Sequence, residues 1–386
     1  MRFPTVVLSL PLILAASCGS AQSGDSGPAA GASNPAATET KGPFAVASLG
    51  TFEEPWALAI EPGTDRVFVT EKAGTMKVVD PATGKSGPVS GMPEVSYGGQ
   101  GGFHDVAFAP DYTTSRTIYL SWVKADESGK RYGVVGRGTL DCAELTACAV
   151  RGLTEIWRQS PALQSFGQFA VRLAFSPDAK YLFVASGELA KGDPAQDISN
   201  NLGTIVRLNL DGTPAAGNPL VGKGSPDIWS HGHRNPLGLQ FDAEGQLWDV
   251  EHGPAGGDEI NRIVPGDNYG WPVVSNGDNY NGTPIPRHST RPEFHAPAIS
   301  WNPVIAPGGM IFYSGKLWPE WKGNALITGL KTEALVRVKL SGDSGTEEAR
   351  YEMGKRLRAI AEAPDGSLYV AEDGKGGRLL HLTPSG

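Results

Sequence analysis

The stretch VRLAFSPDAKYLFVASGE, Val171 to Glu188, decides the fold. It reads as an apolar strand, a Ser-Pro-Asp turn and a second apolar strand. The same phrase recurs along the chain as WALAIEPGTDRVFVTE (56–71), HDVAFAPDYTTSRTIYLSW (104–122), LGLQFDAEGQLWDVEHG (237–253), GGMIFYSGKLWPEWKGNALITGL (308–330) and IAEAPDGSLYVAEDG (360–374). The copies start roughly 50 to 70 residues apart, room for a four-stranded unit and its loops. Further strands show in places, as TMKVVD (75–80) and TIVRLNL (204–210). The expectation is an all-β, six-bladed β-propeller of four-stranded antiparallel blades. A β-sandwich is the plainer alternative, but six spaced copies exceed what one usually carries.

Composition agrees. Among 386 residues there are 51 glycines and 30 prolines, with charged residues at 19%, a mix that suits short strands and turns over long helices. The formal net charge of -8 argues against nucleic acid or an anionic membrane surface as partner.

The first residues read as an export signal. Arg2 is followed by the apolar run Val6–Ala16, too short to span a membrane. LAASC places Cys18 where a lipoprotein signal puts its lipidated cysteine, and GSA, ending at Ala21, suits ordinary cleavage equally. The expected domains are therefore a signal over 1–21, a flexible Gly/Ala/Ser/Pro linker over 22–43 and the propeller over 44–386. The protein is expected in the periplasm or lipid-anchored at the cell envelope. Cys142 and Cys148 suit a small disulfide in an oxidising compartment; two free thiols or a metal pair are the alternatives.

In a propeller the loops entering the inner strands cluster on one face. Gln100, Gln168, Arg172, Arg234, Asn235, Trp301, Arg356 and Arg358 sit at or before such strands, and Lys331 follows another. Several cations meeting on the axis of an acidic protein suit a bound anion. The alternative is that each pairs with a carboxylate of its own blade.

Four motifs sharpen this: GQGG (99–102), GHRNP (232–236), GP-x-x-x-DEIN (253–261) and NYGWP (268–272). Present and in order, they resemble the pyrroloquinoline quinone (PQQ)-dependent glucose/sorbosone and aldose sugar dehydrogenases, from about Leu49 to Leu382. The resemblance implies oxidation of an aldose at C1 to the lactone, with electrons passed to a quinone, cytochrome or dye. It implies PQQ and calcium as cofactors. Gln100 then matches a residue near sugar and cofactor. Arg234, Asn235, Lys331, Arg356 and Arg358 match PQQ contacts, and bidentate arginine forks suit its carboxylates. Gly253 and Pro254 match the backbone carbonyls that hold calcium. Asp258 and Glu259 are expected to be structural, or to position the calcium loop. Trp301 is a candidate for stacking on sugar or quinone.

One position departs from the pattern. The family's proton-accepting histidine falls at Gln168, and the acidic residue beside it at Gly167. A neutral amide is no general base near neutral pH. Either the chain is a degenerate, non-catalytic binder of carbohydrate or quinone, or another base serves. His104, four residues after Gln100, is the candidate substitute, against a plain reading as a satisfied core histidine. His233 reads as orienting the GHRN loop; His231, His252 and Asp105 are weaker candidates. A scaffold for protein contacts is the third class, and the cationic set argues against it.

Overall fold

The computed structural model describes residues 39–386. The expected signal, Cys18 and residues 22–38 of the expected linker lie outside them.

Val171–Glu188 forms the hairpin its pattern predicts. Ala170–Phe175 pairs antiparallel with Tyr181–Ser186, setting Leu173 against Val184 and Phe175 against Leu182. The turn is closed by Ser176, whose Oγ accepts the Tyr181 N–H at 3.0 Å. Thr204–Asn209 and Ile228–His231 complete a four-stranded sheet. Two more sheets follow the same plan, beginning at Pro236–Phe241 and at Pro307–Phe312. An eight-stranded sheet holds two such units, Pro55–Ser90 and Phe103–Arg158, joined by a short parallel pairing of Cys148 and Ala149 with Val89 and Ser90. The remaining sheet combines both ends of the described chain. Leu357–Glu362, Leu368–Glu372 and Lys375–Pro384 are completed by Phe44–Glu53.

The first strands of these units pack against one another in succession. Pro55–Ile60 touches Phe103–Phe108, which touches Ala170–Phe175, then Pro236–Phe241, Pro307–Phe312 and Leu357–Glu362; the last returns to Pro55–Ile60. They surround a central channel, as in a β-propeller. The core lies between adjacent sheets. Tyr119, Val123 and Val135 meet Val171, Leu182 and Val206; Trp248, Val250 and Ile260 meet Met310, Ile327 and Val336. Covering both faces is why strands such as Tyr181–Ser186 and Ala325–Gly329 read as continuous apolar runs.

One boundary moves. Glu39–Lys41, assigned to the linker from composition, pairs antiparallel with Phe44–Val46 through a tight turn at Gly42. Backbone pairing to an available sheet edge, not apolar burial, orders this segment. Cys142 and Cys148 are joined as a disulfide.

Candidate active site at the channel mouth

The loops entering the inner strands bring distant residues together. In GQGG the backbone runs so close to its neighbours that a Cβ on Gly102 would stand 2.1 Å from the Lys72 carbonyl oxygen, and φ there is +142°. Only glycine fits. This places Gln100, whose backbone N–H donates to Phe166 O at 2.7 Å and whose Oε1 accepts the Gln168 backbone N–H at 2.7 Å.

The Gln168 side chain lies between two charges. With its amide turned to meet both, it donates to Glu188 and accepts from Arg234 Nη2 at 2.8 Å. Glu188 is 1% exposed. Burial pushes its carboxyl above the usual range, and hydrogen bonds from the Gly192 and Lys191 N–H groups, with the charges of Arg234 and Lys191, offset this only in part. Arg234 is buried; its Nη1 donates to His252 O at 3.2 Å, and its guanidinium lies 5.1 Å from the Trp271 ring centre. Its Nε has no partner. Asn235 is 1% exposed, and neither polar atom of its side chain has a partner.

The GHRN turn is held from beneath. Glu251 Oε2 accepts the backbone N–H groups of Arg234 and Asn235 at 2.6 and 3.0 Å. His233 is fully buried, with Nδ1 3.2 Å from Asp249 and 3.1 Å from Glu251. Burial alone would lower its pKa; the two carboxylates outweigh it and raise it to about 9. His233 is therefore a structural cation under the loop.

Arg356 and Arg358, two apart along the chain, share one carboxylate. Asp373 Oδ2 accepts from Arg356 Nε, and Oδ1 from Arg358 Nε, each at 2.8 Å. Arg358 also lies over Trp56, 4.1 Å from the ring centre. Burial works against the Asp373 anion, but the two arginines win and hold its carboxyl below the usual range. Lys331 is exposed, and its backbone N–H donates to Ile305 O. Arg172 points elsewhere. It is 3.5 Å from Asp105, donates to Gly308 O at 2.9 Å, and with Asp105 lines a cavity of about 320 Å³ bounded by the inner strands.

The Gly253–Pro254 loop is buried and clamped by Asp258. Its Oδ1 accepts Gly253 N–H at 2.9 Å, and its Oδ2 accepts Ala306 N–H at 2.6 Å. Burial pushes the Asp258 carboxyl up to about 6.

Two expectations are corrected. His104 is 1% exposed, with Nδ1 2.9 Å from Ala170 O and Nε2 2.8 Å from Gln100 O. Burial pulls its pKa down to about 4, so the ring is neutral: one nitrogen donates to a carbonyl, and the other is enclosed against the second carbonyl, away from any substrate. Even spacing misled because the strand starts only at Phe103 and its register shifts between Phe103 and Val106, breaking the alternation. Trp301 lies on the outermost strand of its sheet, 6% exposed, its indole N–H bonded to Glu347 at 2.7 Å. It packs between sheets and has no face toward the channel. The aromatics that flank the mouth are Trp56, Trp271, Phe166 and Tyr280, the last two 77% exposed.

Glu188 and Asp373 escaped the sequence reading. A signal existed: several hairpins carry an acid at or just after the end of their second strand, at Glu71, Glu188, Glu251 and Glu372.

The sequence profile of the glucose/sorbosone dehydrogenase family matches residues 52–381. The chain belongs to this glucose/sorbosone dehydrogenase family. A similar family member, the aldose sugar dehydrogenase YliI of Escherichia coli K12, is 37% identical over 344 residues, covering 86% of this chain and 90% of that protein. The quinoprotein glucose dehydrogenase B of Acinetobacter calcoaceticus is 28% identical, covering 85% of each. Among solved structures, the apo-form of the soluble E. coli aldose sugar dehydrogenase superposes with a TM-score of 0.82 at 36% identity, covering 89% of this chain and 100% of that one. The PQQ-bound aldose sugar dehydrogenase of Streptomyces coelicolor gives 0.72 at 28%, covering 90% and 100%. The chain thus shares the sequence pattern and the fold of this family.

Proposed function

We propose that the protein is an exported, six-bladed quinoprotein that oxidises an aldose at C1 to the lactone, using PQQ and calcium and passing electrons to an external acceptor. The observation that carries this reading is Asn235. Both polar atoms of its buried side chain lack partners, beside an Arg234 whose Nε is also free. Buried orphan groups signal a ligand or ordered water. A planar molecule bearing carboxylates and carbonyl oxygens would satisfy them, with Lys331, Arg356 and Arg358 as further cations. Gly253 and Pro254 would offer calcium their carbonyl oxygens, and Asp258 would keep that loop in place. When bound, PQQ with its calcium supplies the two-electron acceptor.

Gln100 and Gln168 then face the sugar. Arg234 balances the charge of Glu188 and orients the Gln168 amide between them. The Gly99–Gly102 turn closes one side of the mouth and Trp271 another. Export rests on the N-terminal signal, ending either before a lipid-anchored Cys18 or after Ala21; among the described residues no helix is long and apolar enough to cross a membrane.

A second reading, a family member that binds without turnover, is favoured by Gln168 itself, where the family pattern has histidine. Purified apo-protein loaded with PQQ and Ca²⁺, then given a panel of aldoses and a dye acceptor, separates the two. Dye reduction that requires both PQQ and sugar supports the dehydrogenase. Tight PQQ binding without reduction supports the binder, and no PQQ binding overturns both.

A further inference from the structure

Gln168 lies against a buried carboxylate that no other part of the proposed chemistry uses. Glu188 reaches it from two residues beyond the second strand, Tyr181–Ser186, and Arg234 meets the amide from the loop that enters the next sheet. The Gln168 backbone is tied down, because its N–H is held by Gln100. Its side chain is half-buried and meets Glu188 on one side and Arg234 on the other. We propose that Glu188 takes the proton of the sugar C1 hydroxyl, with Gln168 covering it until the substrate displaces the amide. The proposal rests on the sugar-dehydrogenase reading and names the base that reading lacks.

The step balances. The C1 hydroxyl O–H bond breaks and its proton binds Glu188. The C1 hydrogen would leave with the C1–H electron pair, as hydride, to the quinone when bound, and the C1–O bond becomes the lactone carbonyl. Glu188 returns its proton to solvent before the next turnover.

The surroundings suit the task. Glu188 is faced by Arg234 and Lys191, with Gln168 between it and the mouth, and the Lys191 and Gly192 N–H groups are bonded to its Oε2. Its other oxygen is the one that faces the amide. Desolvation moves the carboxyl toward neutral pH, where a general base works best. Removing the Gln168 amide would leave this oxygen facing the mouth. His104, by contrast, is enclosed with both ring nitrogens turned to backbone carbonyls and neither toward the mouth.

The test combines kinetics with infrared spectroscopy. In the PQQ- and calcium-loaded protein, Glu188→Gln should lower kcat by about 100-fold or more with KM little changed. It should also remove the rise of kcat with pH that Glu188 ionisation imposes. Glu188→Asp should restore that rise and part of the rate, whereas Gln168→Ala should keep the rise and lose less than about tenfold in kcat. Without cofactor, the infrared difference spectrum of the apo-protein should show a protonated carboxyl band that titrates above the ordinary carboxylate range. The Glu188 part of that band, taken as the difference between wild type and Glu188→Gln, should shift when an aldose is added. A Glu188→Gln enzyme with near-normal kcat, or a band indifferent to sugar, overturns the proposal. If the wild type oxidises no aldose, the function proposed above fails, and the sugar-induced shift alone decides whether Glu188 meets the substrate.

Discussion

Asp373 shows how a charge can serve both the empty and the loaded site. It neutralises one of the two arginines it touches, and the pair keeps a net positive charge for an anionic ligand. Replacing it by asparagine leaves buried Arg358 without a counter-charge, which costs about 3 kcal/mol. We expect Asp373→Asn to lower the unfolding midpoint of the apo-protein. PQQ should then raise that midpoint by more than it does in the wild type, because its carboxylates take the vacated role. Thermal unfolding with and without PQQ measures both effects.

His233 makes a separate statement about pH. Its folded pKa of about 9 exceeds the ordinary 6.5, so its contribution is fully present below about pH 6.5 and is lost as pH rises through about 9. Denaturant unfolding across that window should show falling stability, and His233→Gln should flatten the fall. A wild-type profile that stays level through the window counts against a buried imidazolium.

At the scale of elements, the loop from Gly253 to Asp258 depends on one side chain. Asp258 accepts from Gly253 at its start and from Ala306 at the entry to the next inner strand. It thereby ties the expected calcium loop to the neighbouring sheet. Asp258→Ala orphans two N–H groups, a cost of about 2–4 kcal/mol. We expect that loss in denaturant unfolding, together with a higher Ca²⁺ concentration for half-maximal reconstitution. The hairpins were legible in the sequence, because their apolar runs and turn residues are local signals. The bulge between Phe103 and Val106 was not, and it is what turned His104 away from the mouth. Trp301 was misplaced for a similar reason. Position in the chain does not say whether a strand is innermost or outermost in its sheet.

For the whole molecule, closure is the main constraint. Phe44–Glu53 pairs along Lys375–Pro384, joining the two ends of the described chain in one sheet and burying Phe44, Val46 and Phe52. Without that strand the sheet keeps a long open edge and the ring loses its clasp. A chain beginning at Gly42 should retain a cooperative thermal transition close to that of the longer chain. One beginning at Glu54 should lose cooperativity or aggregate. Circular dichroism melts of the two decide it, and equal transitions would count against the clasp.

The sequence by itself determined the all-β class, the spacing of the hairpins and the residues of the GHRNP and GQGG turns. Those features are written in short-range patterns of apolar residues, glycines and turn formers. It also put Gln168 where the resemblance led us to expect a histidine, because that is a matter of residue type. Only the tertiary structure decided what stands beside Gln168. Glu188, Gln100 and Arg234 are separated by up to 134 residues of chain, and no local pattern sets their encounter. The cyclic packing of the sheets brings their loops to one mouth, and burial there gives Glu188 the chemistry that its place in the sequence does not reveal.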